Sequence, residues 1–197
     1  RKGRAFFQGF FLRFGQAGNS GIVQTYLISY IATVLLLAPS VGTGVVITSS
    51  LVGFLTVPII GWLSDQVGRK LMYMIMSSIA LVLAVPMIWM IASKNISSIF
   101  VGYIIIHQTS VLALASLENN TMSELFGSRA RLTQLALAKE LAAIVATGIG
   151  PVVAAALVLA TGSWWPIAIM IGFFSICSLG AAIVMPETAG RDLTVLN

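Results

Sequence analysis

Long apolar runs, each followed by a short polar connector, constrain this sequence more than any other feature. One of them, LMYMIMSSIALVLAVPMIW, covers residues 71–89 without a charged side chain. Hydrophobic residues make up 58% of the chain and charged residues 9%, about a third of the charged share of a soluble domain. So few charges do not cover the surface of a soluble fold of 197 residues. We therefore expect lipid to be the solvent for most of the chain.

The length of these runs decides between the two kinds of structure that cross membranes. A membrane-spanning strand needs only about 10 residues, and the runs are far longer. A helix satisfies its backbone hydrogen bonds within one segment, and at 1.5 Å per residue six segments are long enough for roughly 30 Å of hydrocarbon. The sequence thus predicts an all-α polytopic membrane protein with six transmembrane helices. The predicted spans are 14–37, 44–63, 71–92, 98–123, 132–160 and 164–185.

Basic residues are distributed unevenly around these spans. Because six is an even number, both chain ends lie on one side of the membrane, and that side holds nine of the eleven basic residues. The nine are Arg1, Lys2, Arg4, Arg13, Arg69, Lys70, Arg129, Arg131 and Arg191. Lys94 alone lies on the other side, and Lys139 lies within the fifth span. The positive-inside rule then predicts a multi-pass protein of the cell inner (cytoplasmic) membrane with both termini cytoplasmic, and this use of the charge argues against a nucleic-acid partner.

Sequence patterns for several chemical functions are absent. Cys177 is the one cysteine and His107 the one histidine, so we predict no intrachain disulfide and no metal cluster. The chain has no Gly-x-x-x-x-Gly-Lys-[Ser/Thr] phosphate loop, no Gly-x-Ser-x-Gly and no His-Glu-x-x-His. We therefore predict no cofactor, no catalytic residues and no enzymatic activity.

Four short stretches resemble motifs of a transporter family. GWLSDQVGRK (61–70) resembles the loop signature of the major facilitator superfamily, Gly-x-Leu-[Ser/Ala]-Asp-x-x-Gly-Arg-[Arg/Lys], which follows the second helix of each six-helix half. RFGQAGN (13–19), SELFGSRARLT (123–133) and PETAGRDL (186–193) make the resemblance most specific to the metabolite:proton symporter family. The resemblance extends from about Phe7 to Leu193.

The resemblance implies an architecture and a role for the connector. Family members have twelve helices in two halves with the solute bound between them. The whole chain, 1–197, resembles the C-terminal half, and because it opens with Arg1 we expect the N-terminal half to be a missing partner. The implied gating residues are Gly61, Asp65, Gly68, Arg69 and Lys70. From the residues alone we expect a glycine for close helix approach, a glycine for a tight turn and an aspartate that offsets the cations. The alternative is a solvated loop with positive-inside charges.

Polar side chains recur inside the spans at helical spacing. In the first span they share one face, and in the fourth His107 and Gln108 precede Glu118 and Asn119 by eleven residues, which returns to nearly the same direction. The candidates for a solute or proton pathway are Asn19, Tyr26, Tyr30, His107, Gln108, Glu118, Asn119, Lys139 and Glu140. The alternative is hydrogen bonding between packed helices and, for Lys139, snorkelling to the cytoplasmic interface.

Charges within the spans give the sharpest prediction. Glu118 and Lys139 lie at similar depth in helices joined by a short turn, so we expect them to interact, directly or through the solute. Glu140 points about 100° away and leaves one excess acid, which is a candidate proton carrier. The competing arrangement leaves Lys139 free to bind a substrate carboxylate while Glu118 turns to the cytoplasmic mouth.

Together these features predict secondary active transport. The expected substrate is a small organic metabolite, either a carboxylate or a zwitterion, moved by proton-coupled symport and alternating access. The expected partners are this solute, protons, the N-terminal half and the lipid bilayer. The alternatives are a membrane channel or a facilitator without ion coupling, and an intramembrane enzyme.

Overall fold

Helices account for all the regular structure that the computed structural model gives for residues 2–126 and 132–187, the part of the chain it describes. The sequence is apolar over long stretches and has few internal breakers, so the helices are long. The α-helices in chain order are α1 (Lys2–Ser20), α2 (Leu27–Thr33), α3 (Pro39–Val67), α4 (Arg69–Ala92), α5 (Ile96–His107), α6 (Ala113–Phe126), α7 (Leu132–Ala143), α8 (Gly150–Thr161) and α9 (Trp165–Val184).

Three π-helical segments join pairs of these α-helices without a break. Gly21–Tyr26 connects α1 to α2, Gln108–Leu112 connects α5 to α6, and Ile144–Ile149 connects α7 to α8. The described residues therefore form six continuous helical stretches. Because π-helical segments are rare and often occur at functional sites, these three mark the stretches to examine for function.

Five of the stretches are long and apolar enough to cross a membrane, which confirms an all-α polytopic membrane protein. Within the described residues they are Pro39–Val67, Arg69–Ala92, Ile96–Met122, Ala136–Thr161 and Trp165–Val184. The stretch from Lys2 to Thr33 is not among them, because glutamine, asparagine and arginine side chains lower its hydropathy. It also begins well before the predicted start near residue 14, since nothing in residues 2–13 breaks a helix.

Local chemistry explains where several helices begin and end. Pro39 occupies the first turn of α3 and Pro166 the first turn of α9, where a missing N–H costs nothing. Asn95 Oδ1 accepts a hydrogen bond of 3.3 Å from the backbone nitrogen of Ser98 and caps α5. Gly162 has φ +61°, the left-handed conformation that ends α8.

Two glycines bring α1 close to α9. A Cβ atom on Gly15 would lie within 3.0 Å of the backbone of Phe174 and Ser178, and one on Gly18 would overlap the Phe174 ring. Small residues at this spacing allow close packing of membrane helices. Gly148, by contrast, has nothing within 4 Å of such an atom, so close packing does not explain this glycine.

The outer surface of α3 is apolar. Leu51, Phe54, Leu55, Ile59 and Trp62 are all more than half exposed, and Phe54 is 77% exposed. In a water-soluble protein such a patch is rare, whereas lipid or another membrane helix covers it without cost.

Candidate functional site

Charged side chains from three helices meet at Glu118. Glu118 on α6 is 1% exposed, and its Oε2 atom lies 3.3 Å from Arg13 Nη1 on α1. Its Oε1 atom lies 3.3 Å from Lys139 Nζ on α7, without the alignment of a hydrogen bond. Lys139 Nζ also donates a hydrogen bond of 3.0 Å to Asn119 Oδ1, and Arg13 Nη1 donates one of 2.7 Å to Gln16 Oε1. We call Arg13, Glu118 and Lys139 the charged cluster.

The predicted contact between Glu118 and Lys139 is confirmed. The competing arrangement, with Lys139 free and Glu118 turned to the cytoplasmic mouth, is wrong because Glu118 is buried and shared by two cations. Arg13, which was expected among the cytoplasmic charges, lies eleven residues into α1 and joins the cluster. Glu140 is exposed and outside the cluster, so the cluster itself holds two cations and one acid, and the proton-carrying role expected of the excess acid stays a prediction.

Helix lengths show that the charged cluster lies away from the midpoint of the helical stretches, measured along their axes. The 20 residues of α9 extend about 30 Å, and Ser175 lies near their centre. Asn19 Nδ2 donates a hydrogen bond of 3.2 Å to Ser175 Oγ, so Asn19 is at the same level. Arg13 is six residues, or about 9 Å, from Asn19 toward the end of the domain where Gln8 Nε2 bonds the Val184 carbonyl. The α3–α4 connector lies at this end, which we call the connector end.

A second polar group lies on the other side of that middle level. Gln24 Nε2 is 2.9 Å from His107 Nε2, and His107 Nδ1 is 2.7 Å from Ser49 Oγ. Gln108 Nε2 donates a hydrogen bond of 2.6 Å to the Ser49 carbonyl, and Gln108 Oε1 accepts one from Thr56. We call Gln24, His107, Ser49, Gln108 and Thr56 the neutral network. It joins the Lys2–Thr33 stretch, α3 and the Ile96–Phe126 stretch.

The candidates of the first span lie mostly inside the domain. Tyr26 and Tyr30 are buried and pack in the apolar core, while Asn19 makes the hydrogen bond to Ser175 that the interhelical alternative describes. A π-helical turn takes more residues than an α-helical turn, so Gly21–Tyr26 shifts the face on which later side chains fall. Gln24, which periodicity did not single out, is one of the two exposed polar side chains of this segment, together with Thr25.

The connector between α3 and α4 is built around Gly68 and Arg69. Gly68 has φ +106°, a backbone conformation that favours glycine, as predicted. Asp65 Oδ1 lies 2.6 Å from Arg69 Nη2, and Arg69 Nη1 donates a hydrogen bond of 2.9 Å to Ser64 Oγ. Gly61 was expected to allow close helix approach, but a Cβ atom there would be 3.6 Å from its nearest neighbour, an ordinary contact, so that expectation is wrong.

Glu187, which follows α9, covers the start of α4. Its Oε1 atom accepts a hydrogen bond of 2.9 Å from the backbone nitrogen of Arg69, and its Oε2 atom accepts one of 3.3 Å from that of Lys70. Lys70 Nζ donates to the Ile183 carbonyl at 2.7 Å. A carboxylate at a helix N-terminus offsets the positive end of the helix dipole. Asp65 pairs with the Arg69 side chain as expected, while Glu187 covers the backbone at the start of α4, and a contact 118 residues apart has no local sequence signal.

The remaining predicted stretches are covered only in part. Of residues 123–133, the segment 127–131 lies outside the described residues, and of 186–193 only Pro186 and Glu187 lie within them. The nature of the α6–α7 turn and of the chain after Glu187 therefore stays a prediction.

Similarity to other proteins adds an independent line of information. The chain is 46% identical over 188 residues to the protein of Escherichia coli (strain K12) named "Putative transporter YdfJ". It is 31% identical over 173 residues to the glycine betaine/proline/ectoine/pipecolic acid transporter OusA of Dickeya dadantii (strain 3937), and 25% identical over 135 residues to the shikimate transporter of Escherichia coli (strain K12). No family model matches the chain.

These matches cover most of the chain but a smaller part of each relative. They include 94%, 87% and 68% of the chain, yet 44%, 34% and 31% of YdfJ, OusA and the shikimate transporter respectively. The chain thus spans less than half the length of the relatives it matches. By its apolar helices and its relatives, it is an integral membrane protein that is similar to solute transporters.

Proposed function

We propose that the chain is the C-terminal six-helix half of a secondary transporter of the major facilitator type, most like the metabolite:proton symporters. In this proposal both termini are cytoplasmic, and the whole protein moves a small organic carboxylate or zwitterion across the cytoplasmic membrane by proton-coupled symport. The observation that carries the proposal is the charged cluster, in which a buried Glu118 is shared by Arg13 and Lys139.

A charged cluster around a buried acid supports transport because a membrane anchor has no use for it. Ionisable groups within spanning helices are costly, and they typically mark substrate and ion pathways. The cluster holds two cations and one acid, so a carboxylate from outside the described residues completes its charge balance. The solutes named for OusA and for the shikimate transporter are all small molecules that bear a carboxylate.

The cluster also supplies a group for proton coupling. When a solute carboxylate takes over Lys139 and Arg13, Glu118 loses its partners and accepts a proton. The cluster then holds two cations and one carboxylate, as it did before the solute arrived. An ionised Glu118 displaced from both cations would be a buried charge without a partner, which is costly, so its protonation accompanies solute binding. Glu118 is thus the proposed site at which symport takes up its proton.

Uptake by the full-length protein in proteoliposomes tests the proposal. With radiolabelled proline, glycine betaine and shikimate outside and an inward proton gradient, we expect at least one solute to accumulate above its external concentration. A protonophore should reduce it to simple equilibration. Equilibration that ignores the proton gradient favours a channel or an uncoupled facilitator, and exclusion of every carboxylate tested contradicts the proposed substrate class.

The connector is the proposed gate, in which Gly61, Asp65, Gly68, Arg69 and Lys70 take part. Its support is the ion pair of Asp65 with Arg69 and the contact of Glu187 with the start of α4, which hold several helix ends together at the connector end. Such contacts bias the balance between two states of a transporter and lie apart from the solute.

Asp65→Asn in the full-length protein is expected to slow transport about tenfold while leaving the solute Kd within about twofold, because the variant shifts the balance of states and spares the solute contacts. Initial uptake rates and equilibrium binding measure the two quantities. Gln66→Ala, an exposed neighbour in the same connector, is the matched control. A tenfold weaker solute Kd with normal turnover would show that Asp65 belongs to the binding site instead.

A further inference from the structure

We propose that Gln24 contacts the transported solute through its side-chain amide and that His107 positions this amide. The inference rests on the proposed transport function and assigns a residue that no motif in the sequence singles out.

Gln24 is exposed within a helical stretch that crosses the domain, and its amide is only half used. Its Oε1 atom accepts a hydrogen bond of 2.7 Å from Ser20 Oγ, and its Nε2 atom lies 2.9 Å from His107 Nε2. A glutamine amide has two N–H donors and two acceptor lone pairs, so one of each remains available. Unpaired polar groups at membrane depth are costly unless they line a polar cavity. The unused N–H donor and acceptor lone pair of Gln24 therefore indicate a hydrogen-bonding partner beyond the described residues.

The contact with His107 fixes the direction of the hydrogen bonds. Because Gln24 Nε2 only donates, His107 Nε2 accepts, and the neutral ring carries its proton on Nδ1. Nδ1 then donates to Ser49 Oγ at 2.7 Å, and Gln108 Nε2 donates to the same oxygen at 3.1 Å. The His107 ring also stacks on Tyr103, with ring centroids 5.5 Å apart. The buried His107 ring, which Ser49 and Tyr103 hold in place, thus positions the exposed amide of Gln24.

The pair Gln24–His107 and the pair Arg13–Glu118 lie on one seam. The two helical stretches that carry them are antiparallel. Gln24 lies eleven residues after Arg13 on one stretch, and its partner His107 lies eleven residues before Glu118 on the other. Eleven residues correspond to about 16 Å along the helices, with Asn19 between them. A solute crossing this seam meets a neutral amide on one side of the middle and cations on the other. The ligand class is therefore a small carboxylate, which accepts a hydrogen bond from the amide and pairs with the cations.

The test is initial-rate uptake by the full-length protein in proteoliposomes, with whichever of radiolabelled proline, glycine betaine or shikimate the wild type accumulates. Gln24→Leu is expected to raise KM about tenfold and to leave the maximal rate within about threefold, as the loss of one or two solute hydrogen bonds predicts. His107→Leu should raise KM similarly, and the double variant should be no worse than either single variant. His107→Gln, which retains an acceptor for Gln24 Nε2, should recover most of the affinity.

Thr25→Val, a change at the exposed neighbour of Gln24, is the matched control, and thermal melting of each variant shows that it is folded. An unchanged KM in folded Gln24→Leu overturns the solute contact. Additive effects of Gln24→Leu and His107→Leu, or no recovery in His107→Gln, overturn the positioning role. If the wild-type protein moves none of the three solutes, the proposed function and this inference fail together. If the wild type transports and the Gln24 or His107 variants do not behave as expected, this inference alone fails.

Discussion

Glu118→Gln is expected to abolish uptake by the full-length protein and to lower its stability. The substitution keeps the shape of the side chain but leaves Arg13 and Lys139 facing each other without a carboxylate. Removing one partner of a buried ion pair costs about 3–5 kcal/mol, because the remaining charge is uncompensated. We expect a lower melting temperature in detergent and no uptake above background, because the group that takes the proton is gone and two cations remain without a carboxylate.

Glu140→Gln provides the comparison, since it changes the neighbouring acid, which is exposed and outside the charged cluster. We expect it to lower stability and uptake much less than Glu118→Gln. Equal losses in the two variants would show that the charge balance at Glu118 is not what matters. A fully active Glu118→Gln would remove the charged cluster from the transport mechanism.

Gly15→Ala is expected to separate α1 from α9 and to cause the largest loss of stability among single methyl additions. The added Cβ atom meets the backbone of Phe174 and Ser178, which moves only if the whole helix moves. Overpacking of this kind costs about 1–3 kcal/mol, and the upper end applies where backbone is the obstacle. Thermal melting of the full-length protein measures the effect.

Gly180→Ala is the matched control for Gly15→Ala, because it adds the same methyl group on α9 where nothing lies within 4 Å. Alanine favours a helix over glycine by about 1 kcal/mol, so this variant should be neutral or slightly more stable. If Gly15→Ala melts at the same temperature as Gly180→Ala, the close packing of α1 on α9 is not as described.

Much of the fold follows from the length of the apolar runs, because runs of about 20 residues cross a membrane as helices, whereas membrane-spanning strands need only about half that length. The start of α1 did not follow, since residues 2–13 are polar enough to resemble a terminal segment while containing no helix breaker. The π-helical segments were also missed, because their effect on the phase of a helix has no signature in residue type.

The sequence predicted the part of the candidate site in which the depth of two residues along neighbouring helices was enough to bring them into contact. Glu118 and Lys139 follow from counting residues inward from a short turn, and the structure confirms their contact. Arg13 was missed because its place outside the first span followed from the wrong helix start. Gln24 was missed because it lies in a π-helical segment, where the face of a side chain cannot be read from an α-helical period.

Uptake by the full-length Arg13→Gln, Glu118→Gln double variant tests the role of the charged cluster most directly. The double variant restores the net cluster charge of one positive unit by leaving Lys139 as the remaining cation. We expect it to melt at a higher temperature than Glu118→Gln and to equilibrate the carboxylate solute. We also expect no accumulation under an inward proton gradient, because the group that takes the proton is gone. Accumulation at the wild-type level in this variant would contradict the assignment of Glu118 to proton coupling.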